Sequence, residues 1–221
     1  MREAVYTAAL IVMGGVMVTV PAAFSFSGII SGFKGIGVRA GNGRAKKDAA
    51  FLIRLAEDVR ASGISAFEKA AAAASDPFLR EALQLASGGV DADTLRRMLT
   101  FRVQVKEESF DEAMRFWRFM ASAYSAWGMM GALTGLAISA SKNAYAADGL
   151  SVAIISAALG IFFSQCVAVP ALLRVKFKTT KYIRRMKMII EGLLSVKEGE
   201  TPRLTGEKLM FAGGLDGGSF E

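Results

Sequence analysis

Residues 119–141 and 149–173 are two long apolar runs without a charged side chain, separated only by KNAYAAD. About 20 helical residues cross a bilayer core about 30 Å thick, and each run exceeds that length. In hydrocarbon every backbone N–H and C=O must be satisfied within the protein, so runs of this kind fold as helices. The short link makes them an antiparallel hairpin. A third charge-free run extends from Ala4 to Phe33, interrupted only by glycines and Pro21. Only Arg2 is basic ahead of it, and it is longer than the apolar core of a secretory signal, so it reads as a retained span. The expected fold is therefore all-α: a polytopic membrane protein with three membrane-spanning helices and a helical cytoplasmic domain. The expected organisation is a first span over 1–33, a cytoplasmic helical domain over 34–118 and a membrane hairpin over 119–173. A cytoplasmic segment over 174–205, helical over 174–195 and stopped by Gly199 and Pro202, and a flexible tail over 206–221 complete it.

The charges fall outside these runs. The chain holds 27 Lys and Arg against 20 Asp and Glu, a net +7. Lys34, Arg39, Arg44, Lys46 and Lys47 follow the first run, and Arg174, Lys176, Lys178, Lys181, Arg184, Arg185 and Lys187 follow the last. The link carries only Lys142 and Asp148. The positive-inside rule places both basic flanks in the cytoplasm, and the link and N-terminus outside. Topology thus accounts for the basic excess, and no nucleic-acid partner is expected. The chain has no histidine, which excludes His-based metal sites and His acid–base catalysis. Its one cysteine, Cys166, lies inside the third run and reads as a small apolar residue. No cofactor and no enzymatic activity are expected.

The polar regions read as helices. An apolar face begins at Ala50, Leu52, Ile53, Leu55 and Ala56, and Ser62-Gly63 breaks it. SAFEKAAAAAS is a strong helix former that ends near Asp76-Pro77. PFLREALQLAS is amphipathic and ends at Gly88-Gly89; Asp91 or Asp93 can cap the helix that follows. EESFDEAMRFWR leads without a break into the second span, with Arg115, Trp117 and Arg118 suited to the interface. GIGVRAGNGRAKK lacks the ending of a phosphate loop and reads as a glycine-rich membrane exit. Gly28 and Gly32 form a small-xxx-small pattern that permits close helix contact.

Several segments, in order, resemble one family. ASAYSAWGMMGALTGL (121–136) and VAIISAALGIFFSQCVAVPAL (152–172) resemble the third and fourth membrane helices of flagellar stator A-subunits of the MotA/PomA type. ALIVMGGVMVTV resembles the second. GISAFEKA, DPFLREAL, GGVDADTLRRML and MIIEGLLSVKEGETPRL resemble its cytoplasmic segments. The resemblance implies a ring-forming subunit of an ion-driven stator unit in the bacterial inner membrane, in which ion flow becomes torque on the flagellar rotor. It implies a homo-oligomer, a pentamer, around a B-type partner that supplies a membrane Asp and a peptidoglycan-binding domain, with a flagellar rotor protein as the further partner. The lack of any acid in this hairpin agrees with a carboxylate brought by another chain.

The resemblance also assigns residues. Ser156, Ala157, Ala132, Gly131 and Tyr124 fall on the ion path, and Pro170, Ser125 and Gly128 take gating or structural positions. Phe67-Glu68 matches a leucine–glutamate position, so Glu68 joins Lys69, Arg80, Glu81 and Arg96 as the rotor-facing set. Departures from the pattern matter too. A family proline falls at Ser125, and family threonines fall at Ala132, Ser156 and Ala157. Fewer hydroxyls argue for protons over sodium as the transported ion. The family's first helix has no counterpart, which matches the topology of TolQ/ExbB-like energisers of envelope processes. A non-conducting membrane scaffold is the reading of another class. The small residues of the hairpin would then serve helix packing alone.

Overall fold

The computed structural model describes residues 2–37, 42–140 and 146–213. Most of the expected outer link, part of the glycine-rich exit and the final residues 214–221 lie outside the described residues. The described chain is helical, with no strand: α1 (Arg2–Ala23), α2 (Phe26–Gly37), α3 (Asn42–Ser62), α4 (Ser65–Ala73), α5 (Pro77–Ser87), α6 (Ala92–Ala140), α7 (Ala146–Phe162), a π-helical turn (Phe163–Ala168), α8 (Val169–Lys197) and α9 (Pro202–Gly213).

Three boundaries differ from the sequence reading. The first apolar run is two helices, broken at Phe24-Ser25, where Ser25 and Ser27 hydroxyls bond each other at 3.0 Å. The cytoplasmic segment expected over 174–205 ends its helix at Lys197, ahead of the expected stop at Gly199 and Pro202, but a further helix begins at Pro202. Gly199 makes the turn at φ 75, a left-handed conformation costly for any residue with a Cβ, and Pro202 then suits a first helical position. The expected tail from 206 is helical as far as Gly213, because Thr205 and Leu209 are buried. By contrast, a single helix does run from Ala92 to Ala140, with no break near 118.

Among the described residues two helical stretches are long and apolar enough to cross a membrane: Arg2–Ala23, with mean hydropathy 1.9, and a window within Ala147–Lys197, with 2.2. The sequence offers three. The upper half of α6 is charge-free, but Ser122, Tyr124, Ser125, Trp127 and its glycines dilute its hydropathy.

The chain divides into two compact units. The first comprises residues up to Val38 and Ser109–Phe177. Val12, Val16, Phe116, Trp117, Tyr124, Ala168 and Val175 form its core. The Trp117 indole N–H donates to the Gly32 carbonyl at 2.9 Å, so a buried donor is satisfied where α2 meets α6. Phe24 and Phe33 pack edge-on or tilted against Phe116, at 5.5 and 5.7 Å between ring centres. A Cβ on Gly32 would strike the Phe116 ring, whereas Gly28 has only atoms of its own segment nearby. The small-xxx-small pair therefore makes one close contact, to a ring rather than to a second helix backbone.

The second unit comprises Arg39–Glu108 and residues from Lys178 onward. Leu52, Leu83, Leu95, Leu99, Ile189, Leu193, Leu194 and Leu209 are fully buried in it. Amphipathic α3, α5 and α9 each turn an apolar face inward. Asp76 caps α5 by accepting from the Phe78 and Leu79 amides at 2.9 and 3.3 Å, with Pro77 at the first helical position.

Candidate functional site

The hairpin of α6 and α7 closes on glycine. Gly128, Gly131 and Gly135 recur at i, i+3 and i+7 and share one face of α6. Gly149, Ala153, Ser156 and Gly160 share one face of α7. A Cβ on Gly128 would lie 2.7 Å from the Gly160 Cα, and one on Gly131 would lie 2.6 Å from the Ser156 Cβ. Gly149 would meet the Ser139 amide at 2.6 Å. Backbone thus faces backbone over the length of the seam, the close approach that small residues permit between membrane helices.

The predicted ion-path residues divide around this seam. Ser156 is 0% exposed, and its hydroxyl has no hydrogen-bond partner among the described residues. Gly131 and Gly128 lie in the seam, so they are packing positions in this hairpin. Tyr124 is buried and stacks on Phe163, with ring centres 5.4 Å apart and planes at 24°. Ala132 and Ala157 are half-buried, and Ser125 is exposed. Ser156 and Ala157 are adjacent on a helix and stand about 100° apart, so they cannot both point into one seam. The structure therefore brings Tyr124, Gly128, Gly131 and Ser156 to one interface and leaves Ser125, Ala132 and Ala157 outside it. Chemically the seam offers one unpartnered hydroxyl and no titratable carboxylate or amine.

Pro170 lies two residues beyond the π-helical turn, after Val169. Proline has no N–H and its ring crowds the carbonyl four residues earlier, which is Cys166. The widened turn over Phe163–Ala168 takes up that disturbance, with the Val169 amide bonded back to the Ser164 carbonyl. The turn was not expected from the sequence. Pro170 within a long apolar helix was its available signal.

In the second unit the proposed rotor-facing residues are spread over α4, α5 and α6. Glu68 and Arg80 line one shallow hollow with Gln84 and Ser87. Lys69 is exposed. The Arg80 guanidinium also donates twice to the Ala74 carbonyl, at 3.2 and 2.8 Å, closing the end of α4. Glu81 is paired with Arg102 at 2.5 Å, and Arg96 with Glu191 at 3.3 Å. These pairs are well exposed, and such contacts contribute about 0–1 kcal/mol each.

The strongest charge cluster escaped the sequence reading. Arg185, expected only as part of a basic flank, has a side chain 10% exposed and pairs with both Asp48 of α3 and Asp76 before α5. Its Nη2 donates to Asp76 at 2.7 Å, and its Nε to Asp48. Burial works against the guanidinium charge, but hydrogen bonds and attraction from Asp48, then Asp76, outweigh it and hold its pKa above the ordinary value. Burial, and then the Asp76 charge, raise the nearby Tyr182 phenol, with Arg185 opposing. Removing one partner of a buried pair costs about 3–5 kcal/mol, because the other charge stays buried. No local pattern signals partners this far apart in sequence. The only hint was that Ile183, Met186 and Ile189 beside Arg185 belong to a buried face.

Residues 70–188 match the model of the MotA/TolQ/ExbB proton channel family. Motility protein A of Borreliella burgdorferi is 26% identical over 162 residues, covering 72% of this chain and 62% of that protein. Motility protein A of Helicobacter pylori is 27% identical, over 72% of this chain and 63% of that protein. The chain thus spans less than two thirds of the length of these relatives. The structure of C. jejuni MotAB matches with a TM-score of 0.87 at 22% identity, over 97% of this chain and 86% of that chain, a likeness of fold. The family match takes in more than half of the chain, from α4 through the glycine seam into α8, and the chain belongs to the MotA/TolQ/ExbB proton channel family.

Proposed function

We propose that this chain is the ring-forming subunit of an ion-driven stator unit of the flagellar motor. The observation that carries the reading is the hairpin of α6 and α7. Its apolar stretch, from 119 on in α6 and from 149 on in α7, is long, charge-free and closed on glycine, within a chain of the proton channel family whose relatives include proteins named Motility protein A. A wall of this kind needs its titrating group from elsewhere, because a carboxylate in a membrane interior is costly unless surrounded by polar or paired groups. The partner is then a B-type subunit with a membrane Asp and a peptidoglycan-binding domain. Five copies of this chain surround it in the inner membrane, with the first apolar run and both arms of the hairpin as three spans. The rotor protein meets the charged surface around Glu68 and Arg80. Protons are favoured over sodium because Ala132 and Ala157 carry no hydroxyl. Such a subunit is a motor component and not an enzyme.

Cryo-EM of the chain co-expressed with a single-span Asp-bearing partner tests the proposal. The expected particle is a closed ring of five copies around the partner helices, with ion uptake that disappears when the partner Asp is replaced by Asn. A stable monomer without a central cavity would overturn it. Co-purification with a periplasm-spanning coupling protein in place of a rotor protein would move the chain to the TolQ/ExbB side of the family.

A further inference from the structure

Between α4 and α5 the backbone leaves the helical conformation. Ala74 is extended (φ −69, ψ 122) and so is Asp76 (φ −90, ψ 128), so the direction in which α5 leaves is set at Asp76. That carboxylate does two things at once. One oxygen caps α5, and the other takes the Arg185 guanidinium at 2.7 Å. Arg185 binds Asp48 on α3 with a different nitrogen, so one planar fork joins α3, α8 and the junction. A cavity of about 550 Å³ lies against this fork, lined by Lys47, Phe51, Ser75 and Pro77 together with the three charged partners. Phe51, Pro77 and Leu79 supply the apolar part of that lining, and the charged contacts add direction to it. Lysine could not replace the fork, because an ammonium lacks the planar set of donors that meets two carboxylates in fixed directions.

We infer that Arg185 is a positioning residue. It locks the α4–α5 arm, with Glu68 and Arg80 on it, to α8, the helix that continues the last apolar run. The inference rests on the stator reading for its consequence, since the arm carries the surface offered to the rotor, but the lock itself is a property of this chain alone. Without the fork the arm keeps its buried face and the Arg80 contact to Ala74 but loses its directed tie to α8, and ion flow no longer arrives fully as torque.

The test uses the full chain assembled with its partner. Arg185→Lys and Asp76→Asn are compared with the native protein by hydrogen exchange, ion uptake and torque on a loaded motor. Asp76→Asn keeps an acceptor for the α5 cap and loses only the charge, so it serves if Arg185→Lys fails to assemble. Amides over 74–87 should exchange faster by about tenfold in both variants, as expected when a charge-assisted contact holding a local element is lost. Torque should fall several-fold with ion uptake unchanged. Native exchange over 74–87 in an assembled variant would overturn the lock. Equal loss of ion uptake and torque would overturn the positioning role. A complex in which even the native chain gives no torque would instead count against the stator reading, and the exchange result would still decide the lock.

Discussion

Replacing Gly160 by alanine should separate the two helices of the hairpin. The new Cβ would lie 2.6 Å from the Gly128 Cα, 2.7 Å from the Tyr124 carbonyl oxygen and 3.2 Å from the Gly128 amide nitrogen. Carbon atoms rest about 3.5–4.0 Å apart, so the helices must part by roughly 1 Å. Both obstructing groups are main chain inside α6, and no side-chain rotation relieves them. Overpacking of this kind costs about 1–3 kcal/mol. Parting at Gly160 also loosens the contacts of Gly131 with Ser156 and of Gly149 with Ser139. Alanine brings back up to about 1 kcal/mol as a better helix former, so the net loss is about 1–2 kcal/mol. Gly14→Ala is the matched control, since the nearest atom to its Cβ is Leu10 Cδ2 at 3.9 Å in the same helix. Thermal unfolding of the purified complex in detergent reads both variants. For a chain of this size about 1–2 kcal/mol lowers the midpoint by about 2–8 °C. Gly14→Ala should match or exceed the native protein. A Gly160→Ala midpoint at or above that of Gly14→Ala would refute backbone-to-backbone closure of the seam.

Three further outcomes are expected. Ser156→Ala removes a buried hydroxyl that has no partner, so stability should hold or rise by up to about 1 kcal/mol in the same melting assay. A clear fall would mean that the hydroxyl is bonded after all. Gly199→Ala meets no atom within 4 Å but must adopt φ 75, and denaturant unfolding should record a loss of about 1–2 kcal/mol. Glu200 is held below its ordinary 4.5 first by the hydrogen bond from Lys208, at 2.6 Å, and then by that from Ser195. Its folded value is depressed, so its contribution is present above about pH 4.5 and is lost as pH falls through the folded value. Melting curves below pH 4.5 should therefore fall more steeply for the native chain than for Glu200→Gln, and parallel curves would sink the assignment.

Legibility in the sequence followed the reach of each signal. Asp76-Pro77, Ser62-Gly63 and Gly88-Gly89 act on their immediate neighbours, and helices begin or end at each of them. Gly199 and Pro202 marked the stop after α8 in the same way, but the helix beyond them was not expected, because α9 depends on distant burial, of Leu209 against Gly192 and Leu52, and not on its own pattern. Arg185 shows the same limit for charge. On a helix already rich in Lys and Arg, one guanidinium aimed inward looks like the six beside it until Asp48 and Asp76 are brought near.

The charge-free hairpin poses a different problem. In a water-soluble helix the polar residues mark the outer face, so the inner face is found by elimination. In the upper half of α6 and in α7 beyond Asp148 no face carries charge and that contrast disappears. Glycine spacing becomes the remaining guide, because only glycine lets two helix backbones touch. The i, i+3, i+7 series at Gly128, Gly131 and Gly135 carried this information, facing Gly149, Ala153, Ser156 and Gly160 on the other arm. The resemblance implies positions 131, 132, 156 and 157 as one lining, and Gly131 does meet Ser156 in the seam. Helical geometry separates them: Ser156 turns into the glycine seam, while Ala132 and Ala157 are left half-buried. Position 156 is the one of the four that carries a hydroxyl, and that hydroxyl faces the seam.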